Sequence, residues 1–182
     1  MSIKNNLKEV EAYPLSDALI RKYLPQSRIL KYSQFKNFKS LDQIIPNNKD
    51  YVIILYETSP NSGHWCCIMN FNNNYEYFDA YGKEPSQPLT WNKPEINMML
   101  GQSKPYLDYL INSNNKDTFY NDIEYQSTKD DINTCGRHCI FRILCMIKKD
   151  FNLKQYYKFM KQLKNKSNEQ YDIIVSYMIN LI

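Results

Sequence analysis

The order of hydrophobic and polar positions predicts an α+β protein, with a mixed and mainly antiparallel sheet packed between helices. Residues 51–56 form a continuous run of β-branched and aromatic side chains, which is typical of a strand covered on both faces. Further strand candidates follow, separated by turn-forming residues, so that the first two are expected to pair as a hairpin. These candidates are residues 64–69, 75–78 and 119–126.

Helical periodicity is expected on both sides of these strands. Ser16 is a candidate N-cap for a short helix that continues to Leu24 and is stopped by Pro25. Residues 28–50 show little periodicity and predict no extended element. Four more helical stretches are predicted, at 95–100, 106–111, 153–163 and 168–182, the last capped by Ser167 or Asn168.

The apolar stretch 139–147 is charged only at Arg142, and this pattern predicts a helix buried nearly all round. Cys135 then lies at the N-terminal end of that helix. Free backbone N–H groups and the helix dipole lower a cysteine pKa at such a position. Gly136 is expected to allow a tight turn and close approach of a substrate carbonyl. Cys135 is therefore a candidate nucleophile, although a small buried cysteine near a helix start is an equally simple interpretation.

A base for this thiol is predicted on the sheet. His64 begins one strand and Asp79 ends its antiparallel neighbour, so the two side chains are expected side by side at one sheet edge. An imidazole oriented by a carboxylate can activate a thiol and later protonate a leaving amine. Gln126 is the candidate side-chain donor to an oxyanion, together with the Cys135 backbone N–H.

His138 is an alternative base, because it lies three residues after Cys135 on the same helix face. The sequence indicates no carboxylate to orient it, so His64 is preferred.

A zinc site is a second alternative, since Cys135, His138 and Cys139 could combine with His64, Cys66 and Cys67. The spacing is unlike that of structural zinc sites, and adjacent strand residues such as Cys66 and Cys67 point to opposite faces. We therefore predict no metal site. Cys67 and Cys145 are expected in the core, and Cys66 beside the site.

Composition narrows the class of protein. The 182 residues suit a single domain spanning 1–182, and 43% hydrophobic with 14% aromatic residues predicts a folded chain. The net charge of +4 without a basic cluster permits DNA binding but supports it weakly. The sequence predicts no membrane span, no signal peptide and no cofactor. Five cysteines, an odd number, indicate reduced thiols. The protein is expected to be intracellular and monomeric.

These motifs resemble those of the adenain-like cysteine proteases, which include the adenovirus maturation protease and relatives in virophages, large DNA viruses and Maverick-type elements. SUMO proteases are more distant relatives. The resemblance rests on Gly63-His64-Trp65, on 78–82 (Phe-Asp-Ala-Tyr-Gly), on Gln126, and on 133–136 (Asn-Thr-Cys-Gly), and loosely covers 41–147. The order His, Asp, Gln, Cys matches the family. The interval from Gln126 to Cys135 is longer than is typical.

The resemblance implies a papain-like or adenain-like fold and a cysteine endopeptidase that cleaves after small residues. Trp65 is expected to shelter His64, and Trp65, Tyr81 and Tyr125 to roof a narrow substrate cleft. The implied substrates are viral capsid or core precursors cut at Gly-x sites, and the implied locations are the viral factory in the host cytoplasm and the virion.

Other functions remain open on the same residues. They are a protease for ubiquitin-like proteins (a deSUMOylase or deubiquitinase), an acyltransferase, and a catalytically silent interaction module. The adenovirus enzyme depends on a disulfide-linked peptide and on DNA. Because no cysteine here is expected to be exposed away from the site, we predict activity without a disulfide-linked partner.

Overall fold

The computed structural model describes residues 10–129 and 131–181, and its centre is a five-stranded mixed sheet in the order β1-β2-β3-β4-β5. The middle three strands are antiparallel, while both edge strands pair in parallel with their neighbours. The α+β class is therefore confirmed. The strands are β1 (Arg28–Lys31), β2 (Tyr51–Ser59), β3 (Ser62–Phe71), β4 (Asn74–Asp79) and β5 (Thr118–Tyr120).

Among residues 13–129 and 131–181, six α-helices and three short 3₁₀ helices surround the sheet. The α-helices are α1 (Asp17–Tyr23), α2 (Pro94–Met99), α3 (Tyr106–Asn112), α4 (Cys135–Lys149), α5 (Leu153–Ser167) and α6 (Tyr171–Asn180). The 3₁₀ helices are Tyr32–Asn37, Leu41–Gln43 and Gln87–Trp91. None of the helices within 10–129 and 131–181 has the length and apolar character needed to cross a membrane.

Strand alternation divides the core into two layers. On one face of β3, Trp65 and Cys67 pack toward α4, with α5 and α6 completing that layer. On the other face, Cys66 and Ile68 pack with α3 and the first two 3₁₀ helices. Cys66 and Cys67 therefore point to opposite faces, as predicted, and the sheet is covered on both sides.

The central helix α4 is buried from Cys135 to Met146. Arg137 and Arg142 of this helix are both buried, and Arg142 is neutralised by Glu76 of β4 through two hydrogen bonds of 2.6 Å. Arg142 also donates to the carbonyl of Phe151 at 3.0 Å. The helix is thus joined to β4 by the ion pair between Arg142 and Glu76.

Three sequence predictions about elements were wrong. Strand β1 was missed, because its four residues are held by pairing with β2 and not by a pattern of their own. The fourth strand candidate forms a strand only at Thr118–Tyr120, and the chain to residue 126 is irregular. The last helix starts at Tyr171 because Asn168 is the left-handed C-cap of α5; its predicted end at residue 182 lies outside the described residues.

Candidate functional site

His64 and Asp79 meet at one end of the sheet. Their register places Asp79 opposite Cys66, two residues along from His64. His64 Nε2 lies 2.9 Å from Asp79 Oδ1, which also accepts the backbone N–H of Tyr81 at 2.8 Å. Because Asp79 engages Nε2, the ring is fixed and Nδ1 is left to face other partners.

Gly63 allows the strand to bring His64 to this position. A Cβ at residue 63 would lie 1.9 Å from the Tyr56 carbonyl oxygen. Gly63 pairs with Glu57 of β2, and the β2–β3 ladder shifts register just beyond that pair, between Glu57 and Ser59. The close approach of the two strands therefore requires glycine immediately before the histidine.

Cys135 is the first residue of α4, and its side chain interacts with the ring of His64. Burial alone would raise the pKa of the Cys135 thiol. Hydrogen bonding and charge from His64, with the backbone N–H groups of Trp65 and Gly136, reverse this effect and lower the pKa below its ordinary value. The thiol, 8% exposed, is therefore poised to ionise.

His64 changes in the opposite direction. Burial disfavours the charged ring, but neighbouring Cys66, the Asp79 carboxylate and Cys135 together raise the pKa of His64 well above its ordinary value. The two shifts stabilise a thiolate facing an imidazolium, as a nucleophile with its proton donor requires.

Gly136 is needed for packing at the start of α4. Its φ is not positive, and a Cβ there would lie 3.2 Å from both Leu15 Cβ and Trp65 Cδ1. The missing side chain thus lets the start of α4 pack closely against Leu15 and Trp65.

Gln126 is buried near Tyr81, held there by two backbone bonds from 125 and 126 to the Ala80 carbonyl. Its Nε2 donates to the Tyr81 hydroxyl at 2.9 Å and to the Ile132 carbonyl at 3.1 Å, while Oε1 has no partner. Both amide hydrogens are therefore in use, so donation to an oxyanion would require one of these bonds to change partner.

The aromatic cover of His64 is formed by Tyr81 and Trp91. Tyr81 stacks on the imidazole with ring centroids 5.0 Å apart, and Trp91 meets it edge-on at 5.0 Å. Trp91 is 44% exposed. Sequence reasoning missed it, because its segment looked peripheral and only the rarity of tryptophan could have indicated it.

Trp65 and Tyr125 are placed elsewhere. The indole N–H of Trp65 donates to the Leu15 carbonyl at 2.9 Å, and the ring lies behind the start of α4. Tyr125 stacks near Phe78 and His138 in the core. The shelter expected of Trp65 is thus provided by Tyr81 and Trp91.

His138 belongs to a second buried network. Its Nε2 lies 3.1 Å from Asp172 Oδ1, and Asp172 also accepts the Thr134 hydroxyl and the Ser127 backbone N–H. The expectation that no carboxylate orients His138 was wrong, since Asp172 reaches it from α6, far along the chain. The network supports the residue preceding Cys135.

The zinc ligand set considered from the sequence does not come together. Among residues 10–129 and 131–181, the group of potential metal ligands consists of His64, Cys66 and Asp79. Cys67 and Cys145 lie in the core, as predicted.

Fold and contacts define an α+β protein with a buried cysteine–histidine–aspartate arrangement. The chain is 29% identical over 152 residues to "Uncharacterized protein V9" of Sputnik virophage, an alignment that covers 82% of this chain and 86% of the virophage protein. No family model matches the chain, and no solved structure matches it.

Proposed function

We propose that the protein is a cysteine endopeptidase with Cys135 as nucleophile, His64 as base and Asp79 as the carboxylate that orients it. The observation that carries the proposal is the Cys135 thiol at the start of α4, with a lowered pKa, beside a histidine fixed by Asp79. Buried cysteines kept only for packing have raised pKa values.

The reaction follows from these positions. The Cys135 thiolate attacks the scissile carbonyl, and the imidazolium of His64 gives its proton to the leaving amine as the C–N bond breaks. Water, deprotonated by His64, then attacks the thioester and releases the acid and the free thiol. The proposed oxyanion donors are the Cys135 backbone N–H and Gln126, once the Gln126 amide exchanges the Tyr81 hydroxyl for the substrate oxygen.

The proposed substrates are viral capsid or core precursors cut after small residues, Gly above all. Tyr81 and Trp91 close over His64, and a roof of two large rings leaves little room for a bulky side chain. The likeness to a virophage protein supports a viral context, with the host-cell viral factory and the virion as sites of action.

Independence from a disulfide-linked activator is part of the proposal, because all five cysteines are buried and none offers an exposed thiol. Assays of the purified chain with reductant, with virion extract and with DNA test this. Activity that appears only after extract is added would contradict it.

The deciding experiment compares Cys135→Ala with the parent protein on a Gly-containing peptide library and on precursor proteins. Loss of one member of a catalytic set lowers turnover by about 10³-fold or more. Cys145→Ala, a core cysteine remote from His64, is the matched control and is expected to keep activity. Equal cleavage by folded Cys135→Ala protein would refute the assignment.

Three further assays separate the alternative functions. Ubiquitin-like precursors assayed beside viral precursors distinguish the two protease types, and added primary amines reveal an acyltransferase by the mass of the amide product. Covalent labelling of Cys135 by a Gly-Gly vinyl ester probe distinguishes an enzyme from a silent interaction module.

A further inference from the structure

The ring of His64 has a second cysteine beside it that the proposed reaction does not use. A ring nitrogen of His64, Cys66 Sγ and a carboxylate oxygen of Asp79 all lie within 4.8 Å of one another. Cys66 and Asp79 are fully buried, and His64 is 6% exposed. A nitrogen, a sulfur and an oxygen donor thus converge on one small volume beside the ring of His64.

Asp79 supplies an independent indication that something binds there. Its Oδ1 is saturated by His64 and Tyr81, but Oδ2 is buried and has no hydrogen-bond partner. A carboxylate oxygen without a partner in the interior is costly, so it attracts a proton or a cation. The unsatisfied oxygen belongs to the residue that also faces Cys66.

We propose that His64, Cys66 and Asp79 form a zinc-binding site that holds the proposed peptidase inactive. Zinc accepts nitrogen, sulfur and carboxylate oxygen at about 2.0–2.3 Å, so tetrahedral ligands lie roughly 3.5 Å apart. No pair of these donor atoms is more than 4.8 Å apart, and His64 Nε2 and Asp79 Oδ1 are already at 2.9 Å, so shifts of about 1 Å would bring the three into range of one ion. Calcium and magnesium do not fit, because they take oxygen ligands.

Zinc binding releases two protons from the protein. As the Zn–S bond forms, the Cys66 thiol proton leaves to water, and the proton on the ligating His64 nitrogen leaves in the same way. The Tyr77 hydroxyl, which donates to the Tyr56 hydroxyl at 3.4 Å, lies beside the Cys66 sulfur and can donate to the resulting thiolate instead. Three protein ligands leave a fourth position for water.

The inhibition rests on the proposed function. A ring nitrogen bound to zinc cannot hold the hydrogen bond to Asp79 that orients His64, and the ring can no longer exchange protons with Cys135. Zinc would thus keep the enzyme silent until a chelating thiol or a fall in free zinc releases it.

The test is spectroscopic and does not require activity. Purified protein is titrated with Co²⁺, whose thiolate complex absorbs in the near ultraviolet, and with Zn²⁺ in competition. The parent and Cys135→Ala are expected to bind one equivalent. Cys66→Ser is expected to lose the thiolate band and at least about 100-fold in zinc affinity, beyond the 10- to 100-fold cost of losing an outer-shell partner.

Cys67→Ser is the matched control, since it is the adjacent residue on the opposite face, and it should bind like the parent. Far-ultraviolet circular dichroism checks that each variant is folded, and Cys66→Ala replaces Cys66→Ser if the latter is not. Absence of the band in the parent would overturn the proposal. Loss of the band in Cys135→Ala with retention in Cys66→Ser would also overturn it, because the ion would then sit on the nucleophile.

Failure of the proposed function is separable from failure of this inference. A protein that lacks peptidase activity but binds Co²⁺ through Cys66 would support the metal site and contradict the proposed function. An active enzyme that zinc does not inhibit would support the proposed function and contradict the inhibitory metal site. In the active enzyme, zinc is expected to inhibit the parent at least tenfold more strongly than Cys66→Ser.

Discussion

Two cysteines contact the same histidine, and their surroundings give them opposite chemistry. Burial and the nearby Asp79 carboxylate raise the pKa of the Cys66 thiol to about 12. At Cys135, His64 and two backbone N–H groups outweigh burial and lower the pKa. Because His64 lowers the pKa of both thiols, the difference comes from the Asp79 carboxylate beside Cys66 and from the backbone N–H groups at Cys135.

Alkylation should report this difference. With the Cys135 pKa lowered and the His64 pKa raised, the thiolate is expected to form below the ordinary thiol pKa of about 8.5, beside a protonated ring. We expect iodoacetamide to modify Cys135 rapidly in that range, in EDTA. In His64→Ala the rise in rate should move to higher pH, as mass spectrometry at each pH can show. Identical profiles for the two proteins would contradict the ion pair.

Gly63 governs the position of His64 sterically. In Gly63→Ala the new Cβ would lie 1.9 Å from the Tyr56 carbonyl oxygen, so the strands must separate. We expect a loss of about 1–3 kcal/mol in the free energy of unfolding, measured by urea denaturation. Ser62→Ala, one residue earlier and exposed, is the control. Unchanged stability in Gly63→Ala would show that the hairpin adapts freely.

At the scale of elements, α4 is tied to the sheet by one buried ion pair. Arg142 and Glu76 meet through two short bonds, yet Arg142 Nη1 has no partner. Such pairs cost desolvation, and removing one partner leaves the other charge buried alone. The pair thus fixes how the helix lies on β4 more than it adds stability.

Arg142→Met alone is expected to lower the free energy of unfolding by about 3–5 kcal/mol, because Glu76 would remain buried and unpaired. Arg142→Met combined with Glu76→Leu should recover most of that loss. Urea denaturation of the two single variants and the double variant measures the coupling. Simple additivity of the single effects would mean that the two charges act independently.

The elements differ in how far local sequence could predict them. The strands β2, β3 and β4 carry their own apolar runs, and α4 its unbroken apolar stretch, so their existence was predicted. Strand β1 takes its form from pairing with β2. The contacts of His64 with Trp91, and of His138 with Asp172, join residues 27 and 34 positions apart. Side-chain meetings across such separations depend on the tertiary fold and leave no local pattern.

At the scale of the whole molecule, α6 is joined to the site through Asp172. Burial would raise the pKa of this carboxyl, but hydrogen bonds from His138, Thr134 and the Ser127 N–H lower it below its ordinary value. One carboxylate therefore fastens the C-terminal helix to the loop after Gln126 and to the start of α4.

Because the folded-state pKa of Asp172 is depressed, its contribution is full above the unfolded value of about 3.9 and is lost as pH falls through the folded pKa. Asp172→Asn should cost about 3 kcal/mol in the free energy of unfolding at pH 7. The gap between variant and parent should narrow below pH of about 4. Urea denaturation at several pH values measures it, with exposed Asp122→Asn as control. If the difference in unfolding free energy between variant and parent does not change with pH, ionisation of Asp172 does not contribute to stability.

The bond between Asp172 and Thr134 also has a consequence for the order in which the protein is made. Thr134 and Cys135 are synthesised before residue 172, so a growing chain reaches a length at which it contains both residues but not Asp172. A nascent chain of that length holds the thiol, the imidazole and Asp79 but lacks the carboxylate that fastens the loop to α4. The start of α4 therefore gains its full set of contacts only after α6 has been synthesised, and a chain that stops before α6 is expected to hold Cys135 less firmly.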